Sequence, residues 1–338
     1  MVKKSYTLPL VWLILSLVVA MGINLSLGSL DIPFRELISG LFGAEVKSSY
    51  IITNYRLPKA ITAMIVGGGL AICGLMMQTL FRNPLAGPFV LGVSSGASLG
   101  VALVVMGAGF FTASIPPLLL SNLSLSIAAS LGAFVVITVI LTVSRNIKNT
   151  MSILIIGLMF GSFTAAIISV LAYFSTAEEL QQYVFWTFGS LGNLSWTELA
   201  ILSLFFAVSI LLILPQIKSL NSLLLGENYA KSLGVNLKKT RNYTMLVTGL
   251  LTGVITAFVG PIAFIGLAVP HLTKLVVKTS DHGVLIPATA LGGATLMLVC
   301  DTIAQLPNSA YTLPINAVTS LFGAPIVIWL LVRKRKIY

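Results

Sequence analysis

The side chains that could do chemistry are few, and their types and spacing match neither a nucleotide-hydrolysing nor a metal-binding pattern. The chain has no nucleotide-binding loop of the form G-x-x-x-x-G-K-[ST] and no H-E-x-x-H metal pair. His271 and His282 lack a partner at ligand spacing, and Cys73 and Cys300 each lie inside an apolar run. We therefore expect the chain to hold no metal and no cofactor and to carry no catalytic residue.

The most informative polar segment lies within residues 215–241. Its core, residues 225–234, has the sequence Leu-Gly-Glu-Asn-Tyr-Ala-Lys-Ser-Leu-Gly, a short amphipathic piece flanked by glycines. From composition alone this segment is either an idle loop or a rigid helix that inserts into a groove of a soluble partner and transmits force.

The elements that must position this segment are long apolar helices. Of the 338 residues, 57% are hydrophobic and only 9% are charged, whereas an ordinary soluble domain carries roughly 25% charge. Runs of ~18 or more apolar residues are typical of membrane-spanning helices, because hydrocarbon offers no partner to a bare peptide group. We predict an all-α, polytopic helix bundle of about ten transmembrane helices, which forms a single transmembrane domain over residues 1–338. The apolar runs lie at 9–28, 61–80, 89–107, 117–142, 151–173, 197–214, 242–260, 262–277, 284–302 and 313–332.

The distribution of charge predicts that both termini lie inside the cell (N-in/C-in). With ten spans this orientation places all but four of the 20 basic residues on the cytoplasmic side, as the positive-inside rule expects. Residues 29–60 then form an external loop and residues 215–241 a cytoplasmic one. The net charge of +11 is explained by inner-leaflet phospholipid, so we expect membrane lipid and no nucleic acid as a partner. The four external basic residues are Arg35, Lys47, Arg56 and Lys59.

The predicted membrane interior is nearly free of ionisable groups. The acid Asp301 stands at the external end of the ninth run. Ion-coupled carriers usually keep such groups near the membrane midplane, because those groups hold the coupling ion. Their scarcity favours transport driven from outside the membrane. A stand-alone ion-coupled carrier remains the alternative, and an intramembrane enzyme a weaker one.

Glycines at four-residue spacing predict close helix packing. Small residues at this spacing let helix backbones approach each other in lipid. We expect most of them to pack within one bundle, with a dimer face or a pathway lining as the alternatives. The sets are Gly92/Gly96/Gly100, Gly157/Gly161 and Gly249/Gly253.

Six motifs, in order along nearly the whole chain, resemble those of the permease subunits of bacterial ABC importers for iron-siderophore complexes, haem and vitamin B12 (type II importers). The most specific is Gly-Pro-Ile-Ala-Phe-Ile-Gly-Leu-Ala-Val-Pro-His at residues 260–271. The segment 225–234 resembles the family's L-G-x-x-x-A-x-x-L-G. The other four are Arg-Leu-Pro-Lys at 56–59, the runs 82–88 and 91–97, and Leu-Pro-Ile-Asn at 313–316 followed by Gly-Ala-Pro at 323–325.

The resemblance implies a multi-pass permease of the bacterial inner membrane that pairs with an identical or paralogous second copy. Two separate ATP-binding cassette subunits, which use ATP and Mg, would bind below, and an external substrate-binding protein would dock above. The expected cargo is an iron(III)-siderophore or haem-type metal chelate, with vitamin B12 as the alternative. ATP binding and hydrolysis would shift the populations of outward-open and inward-open states.

The resemblance also assigns roles to individual residues. Segment 225–234 becomes the helix that couples to the ATPases. Ala230 and Gly234 would share a face in close contact with an ATPase groove, Leu233 would be the apolar anchor, and Glu227 would cap the first turn or meet a basic residue of the partner. The coupling residues are Gly226, Glu227, Ala230, Leu233 and Gly234; those of the cytoplasmic gate and pathway are Asn83, Leu85, Thr150, Gly157 and Gly161; the structural motif comprises Gly260, Pro261, Phe264, Gly266, Pro270 and His271.

Docking of the external protein is predicted at Arg56 and Lys59, which lie just before the second apolar run. Basic residues at this rim would pair with carboxylates of the docking protein and set encounter rate and orientation. Anchoring of the helix to lipid headgroups is the alternative. Gln305 occupies the place where the family often carries a further basic docking residue.

Overall fold

The protein is helical throughout the part that the structure describes. A computed structural model describes residues 6–28, 30–41, 48–107, 121–147, 149–307, 309 and 311–334. No strand occurs in these ranges. The all-α prediction is therefore confirmed.

A helix lies at each of the ten predicted apolar runs. In chain order these are α1 (Thr7–Ser26), α4 (Leu57–Leu80), α5 (Val93–Val105), α6 (Asn122–Ser144), α7 (Thr150–Phe174), α9 (Trp196–Ile213), α12 (Leu237–Val259), α13 (Ile265–Val277), α14 (His282–Ala304) and α15 (Ile315–Lys334). Shorter elements connect them: α2 (Phe34–Leu41), α3 (Ser49–Ile51), α8 (Ala177–Thr187), α10 (Ile217–Leu224) and α11 (Glu227–Ser232), with 3₁₀ turns at Pro88–Leu91 and Leu214–Gln216 and a π turn at Ile52–Arg56.

Seven helices of the described chain are long and apolar enough to cross a membrane. Three apolar helices are shorter, namely Val93–Val105, Ile265–Val277 and Ile315–Trp329. A 13-residue helix such as α13 reaches only about 20 Å, against the ~30 Å of bilayer hydrocarbon. The described part of the chain therefore has seven full-length candidate spans and three shorter apolar stretches at the ten predicted places, the last of these within the 20-residue α15.

The external loop is more helical than predicted. The second apolar run was expected to begin at residue 61, but a continuous apolar helix extends over Ser49–Leu80 through the π turn. The predicted loop 29–60 therefore contains α2, α3 and the first turn of α4. Lys47 of this loop lies outside the described residues.

Side-chain caps explain where several helices begin. Asn149 accepts a hydrogen bond from the Met151 amide at the start of α7. Thr176 and Glu179 form a reciprocal capping box at the start of α8. These bonds satisfy amide donors that no helical carbonyl can reach, which would otherwise be costly near lipid.

The chain groups into two compact units. The first comprises Met1–Leu75, Ser190–Ser203 and Ile262–Tyr338. In it α14 packs against α1, α13 and α15, and α13 packs against α15. Glycine contacts bring α4 onto this group, since a Cβ at Gly67 would lie 2.2 Å from the Gly293 carbonyl oxygen and one at Gly74 would lie 1.6 Å from that of Gly266.

The second unit comprises Met76–Gly189 and Leu204–Pro261. Here α5, α6 and α12 pack against one another, and α7 and α8 pack against α5. A Cβ at Gly96 would lie 2.6 Å from the Gly132 carbonyl oxygen, and Gly253 packs against Ala133. The predicted packing of Gly96, Gly100, Gly249 and Gly253 within the bundle is confirmed, whereas Gly92 lies at the left-handed N-cap of α5.

The Gly74–Gly266 contact gives a test of this packing. Gly74→Ala should lower the apparent melting temperature of the detergent-solubilised protein, because a methyl group at this backbone contact costs about 1–3 kcal/mol. Gly22→Ala is the matched control, since its Cβ would meet only an ordinary contact of 3.7 Å with Phe34. Equal melting temperatures for the two variants, measured by thermal shift, would contradict the packing.

Candidate functional site

The segment 225–234 folds as a six-residue helix bounded by two glycines. Gly226 precedes α11 with φ +108°, and Gly234 follows it with φ +82°. A Cβ at either glycine would meet nothing within 4 Å, so backbone conformation and not space requires glycine there. The amides of Gly234 and Val235 bond back to the carbonyls of Lys231 and Ala230 and close the helix end.

Three large apolar side chains are exposed on this segment, among exposed polar ones. Leu225, Tyr229 and Leu233 recur at four-residue intervals and are 64%, 54% and 56% exposed. We call these three side chains the apolar ridge. An exposed apolar cluster next to a glycine-bounded helix is typical of a protein-binding surface.

Ala230 points the other way, which corrects its predicted role. It is completely buried within this chain, where α11 packs against α10 and α12. A residue without exposed surface cannot be the contact with an ATPase groove. Its small side chain instead lets α11 lie close to its neighbours, and the predicted anchor Leu233 is exposed.

Glu227 connects α11 to the beginning of α7. The Thr150 hydroxyl donates a hydrogen bond of 3.4 Å to the Glu227 carboxylate. Thr150 is the first residue of α7, which was predicted to line the pathway. Two residues predicted separately, one for coupling and one for the pathway, therefore lie together.

Arg241 is a functional candidate that sequence reasoning missed. It is a buried arginine whose Nη2 donates 2.9 Å hydrogen bonds to the carbonyls of Ser144 and Ile147, at the end of α6. The Glu227 carboxylate also attracts it electrostatically. No sequence pattern indicates that Arg241 joins α12 to the end of α6, because Arg241 stands among other cations that the positive-inside rule explains equally well.

The turn after α4 contains the predicted gate residues. Asn83 stabilises this turn through two hydrogen bonds. Its backbone amide donates to the Gln78 carbonyl, and its side-chain oxygen accepts from the Leu85 backbone amide at 2.9 Å. Leu85 is exposed. The turn lies beside α11, since Arg82 and residues of 225–232 line one cavity of about 680 Å³.

Gly157 makes a close backbone contact within its own chain. A Cβ there would lie 2.0 Å from the Val90 carbonyl oxygen, and the place of this glycine in the pathway stays a prediction. Gly161 is half-buried, and a Cβ at this position would meet only the Ser95 hydroxyl, at 3.4 Å.

Arg56 is engaged inside the first unit. Its Nη1 donates to the carbonyls of Leu25 and Ser26 at 2.6 and 2.8 Å, and its Nη2 donates to that of Leu30. It thereby satisfies the carbonyls that α1 leaves open at its C-terminal end. Arg56 remains half-buried, and its docking role stays a prediction.

Lys59 belongs to a second polar group, which we call the external cluster: Asn24, Lys59, Asp301 and Gln305. Lys59 pairs with one oxygen of the buried Asp301 carboxylate at 3.1 Å. The other oxygen accepts from the amides of Asn24 at 2.9 Å and Gln305 at 2.7 Å. Lys59, which was predicted to dock the external protein, and Gln305, which occupies the place of a further basic docking residue, therefore both hold a buried acid in place.

The motif at residues 260–271 meets the motif at 313–325 in the first unit. The Ala263 amide donates to the Asn316 side-chain oxygen at 3.1 Å. Phe264 starts α13 from the left-handed region, with φ +65°, and a Cβ at Gly323 would lie 2.2 Å from its Cβ. Pro270 lies buried inside α13, and His271 is half-buried.

Gly260 and Pro261 belong to the second unit. Gly260 has φ +78°, and a Cβ there would lie 2.8 Å from the Trp186 carbonyl oxygen. Both the backbone conformation and the space therefore require glycine. The prediction that this motif is structural is consistent with these contacts.

One short motif has a hydrolytic interpretation that the structure disfavours. Residues 92–96 spell G-x-S-x-G, which in hydrolases places a serine on a strand-to-helix turn beside a histidine. Here Ser94 lies in the first turn of α5, is buried, and shares a 3.3 Å hydrogen bond with the Thr256 hydroxyl. A hydroxyl cannot serve as the base that activates a nucleophilic serine.

A family comparison decides which class of protein carries this arrangement. Residues 15–333 match the family model described as the FecCD transport family. The chain belongs to the FecCD transport family. The predicted resemblance is thus confirmed, and the chain is a multi-pass permease of the bacterial inner membrane.

Relatives in this family are similar over their full length. The hemin transport system permease protein HmuU of Yersinia pestis is 38% identical over 327 residues, covering 96% of this chain and 95% of the relative. The vitamin B12 import system permease protein BtuC of Klebsiella pneumoniae is 37% identical over 324 residues, covering 96% and 93%.

Solved structures support the same fold. A structure described as an inward-facing conformation of a metal-chelate type ABC transporter matches with a TM-score of 0.82 and 31% identity, covering 98% of this chain and 100% of the other. PsaBC from Streptococcus pneumoniae matches with a TM-score of 0.52 at 16% identity, covering 88% and 94%, which shows the fold alone.

The external cluster of this FecCD protein gives a prediction about charge pairing. Lys59→Met leaves the Asp301 carboxylate without its cation and should destabilise the protein by about 1–3 kcal/mol. Lys59→Met combined with Asp301→Asn removes both charges and keeps amide groups beside Asn24 and Gln305. The double variant should therefore melt at a higher temperature than Lys59→Met alone.

The measurement is a thermal-shift double-mutant cycle in detergent. Additive losses from the two substitutions would show that the pair does not stabilise the folded chain.

Proposed function

We propose that this FecCD permease conducts an iron(III)-siderophore or haem-type metal chelate into the cytoplasm, driven by ATP hydrolysis in separate subunits. The hemin permease among its relatives and the metal-chelate type transporter among its structural neighbours support this cargo. Vitamin B12 is the second candidate, because a vitamin B12 permease is nearly as similar.

The proposed assembly contains a second permease copy, identical or paralogous, two ATP-binding cassette subunits and an external substrate-binding protein. ATP and Mg are used by the cassette subunits, and this chain binds no cofactor of its own. The absence of a nucleotide-binding loop from the sequence supports this division of labour.

The observation that carries the proposal is the apolar ridge at and around α11. A large apolar side chain that is exposed to water on a predicted cytoplasmic surface costs hydrophobic free energy unless a partner covers it. Tyr229 and Leu233 are the large apolar groups that α11 and its C-terminal end offer to such a partner. We assign the ridge as the contact with the ATP-binding cassette subunit.

Force reaches the spans through contacts of the same helix. Ala230 fixes α11 onto α10 and α12, and Glu227 bonds to Thr150 at the start of α7. Displacement of the ridge by the ATPase therefore acts on the first turn of α7. In this proposal the outward-open and inward-open states hold the ridge in different positions. The nucleotide state of the ATP-binding subunit therefore shifts the populations of the two states.

Charge on the ridge tests the ATPase contact. Tyr229→Asp should place a desolvated carboxylate in the apolar interface, weaken assembly with the ATP-binding subunit by roughly tenfold or more, and leave the amount of folded permease unchanged. Tyr311→Asp is the control, since Tyr311 is also exposed but lies on the segment between α14 and α15, at the predicted external side. Co-purification and substrate-stimulated ATP hydrolysis measure the effect.

A third variant separates the ridge from the packing beneath it. Ala230→Arg should reduce the amount of folded permease, because the arginine would be forced into a fully buried position. Normal assembly of Tyr229→Asp with its ATPase, at wild-type transport, would contradict the coupling role.

A further inference from the structure

A basic cavity lies where α6 ends and α12 begins. Its volume is about 360 Å³, and its lining contains three cations and no acid. Arg145 directly follows α6, and Lys238 and Lys239 lie in the first turn of α12. The lining residues are Arg145, Asn236, Lys238, Lys239 and Asn242.

The cavity lies at the level of the lipid headgroups. Helices α6 and α12 pack against each other and have 23 residues each, which corresponds to a length of about 34 Å. The bilayer hydrocarbon is about 30 Å thick, so the ends of these spans reach the headgroup layer. A hydrogen bond of 3.3 Å from the Ser144 hydroxyl to the Asn242 side-chain oxygen holds the two ends together.

The electrostatics of the cavity favour an anion. The N-terminal end of α12 adds its helix dipole to the two lysines, and Asn236 fixes this turn by accepting from the Lys239 amide at 3.0 Å. The neighbouring Arg241 points to the carbonyls at the end of α6. The cations left to meet a ligand are therefore Arg145, Lys238 and Lys239, all exposed.

We propose that this cavity binds the phosphodiester headgroup of an anionic phospholipid from the cytoplasmic leaflet, such as phosphatidylglycerol. Basic pockets between the cytoplasmic ends of spanning helices attract such headgroups. The bound lipid bridges the end of α6 and the start of α12, next to the coupling segment. The competing ligand is an acidic surface of a soluble subunit. Lipid is favoured because the cavity lies at the ends of α6 and α12, which reach the headgroup layer.

Binding of defined lipids to the purified permease tests the proposal. The probes are phosphatidylglycerol and phosphatidylcholine with the same acyl chains, added to delipidated protein in detergent and followed by native mass spectrometry. Wild type should retain phosphatidylglycerol in preference. Lys238→Gln/Lys239→Gln should bind it roughly tenfold or more weakly, since each cation contributes about a factor of five.

Charge-matched controls make the result specific to the cavity. Lys218→Gln/Lys278→Gln removes the same charge from exposed positions that do not line it and should bind like wild type. Inorganic phosphate at millimolar concentration should not displace the lipid.

Three results would overturn the proposal. The first is equal retention of both lipids, and the second is equal loss in the cavity variant and its control. The third is unchanged lipid binding by the cavity variant together with loss of assembly with the ATP-binding subunit, which would assign the cavity to that protein. The apolar ridge has its own variant, Tyr229→Asp, which leaves the cavity lining unchanged, so the proposed function is tested separately.

Discussion

The fold depends on direct contact between helix backbones at glycine. In lipid no hydrophobic force drives apolar helices together, so close packing and weak polar contacts must hold them. In the first unit Gly67 meets Gly293 and Gly74 meets Gly266; in the second Gly96 meets Gly132. A single methyl group at these points would overlap a carbonyl oxygen, so the helices can approach this closely only through glycine.

This packing gives the short cytoplasmic helix a firm base. Six residues of α11 would not be stable as an isolated helix, because nucleation costs more than so few hydrogen bonds return. Burial of Ala230 against α10 and α12 holds it in one conformation, and the glycines at both ends permit the positive-φ turns that bound it. Its exposed apolar side chains then have a defined position, as a contact that transmits force requires.

The sequence predicted which segments are helices more completely than it predicted side-chain roles. Apolar runs and motif order located all ten helices, because hydrophobicity and glycine spacing are local signals. The internal bonds of Arg56 and Lys59 and the role of Arg241 depend on residues far away in the chain, whereas the direction of Ala230 depends on how α11 packs against α10 and α12. Arg56 and Lys59 illustrate the difference, since an external position was compatible with docking, lipid anchoring and the internal pairing that the structure shows.

The most direct test of the central claim is site-specific photo-cross-linking at Leu233 in the intact transporter in membranes. The account predicts that a photoreactive side chain at this position forms an adduct with the ATP-binding subunit and that the adduct's yield changes when ATP is added. A photoreactive group at Tyr311 should give no such adduct. A fully active transporter that yields no adduct from position 233 would show that the ridge is not the surface through which ATP hydrolysis drives this permease.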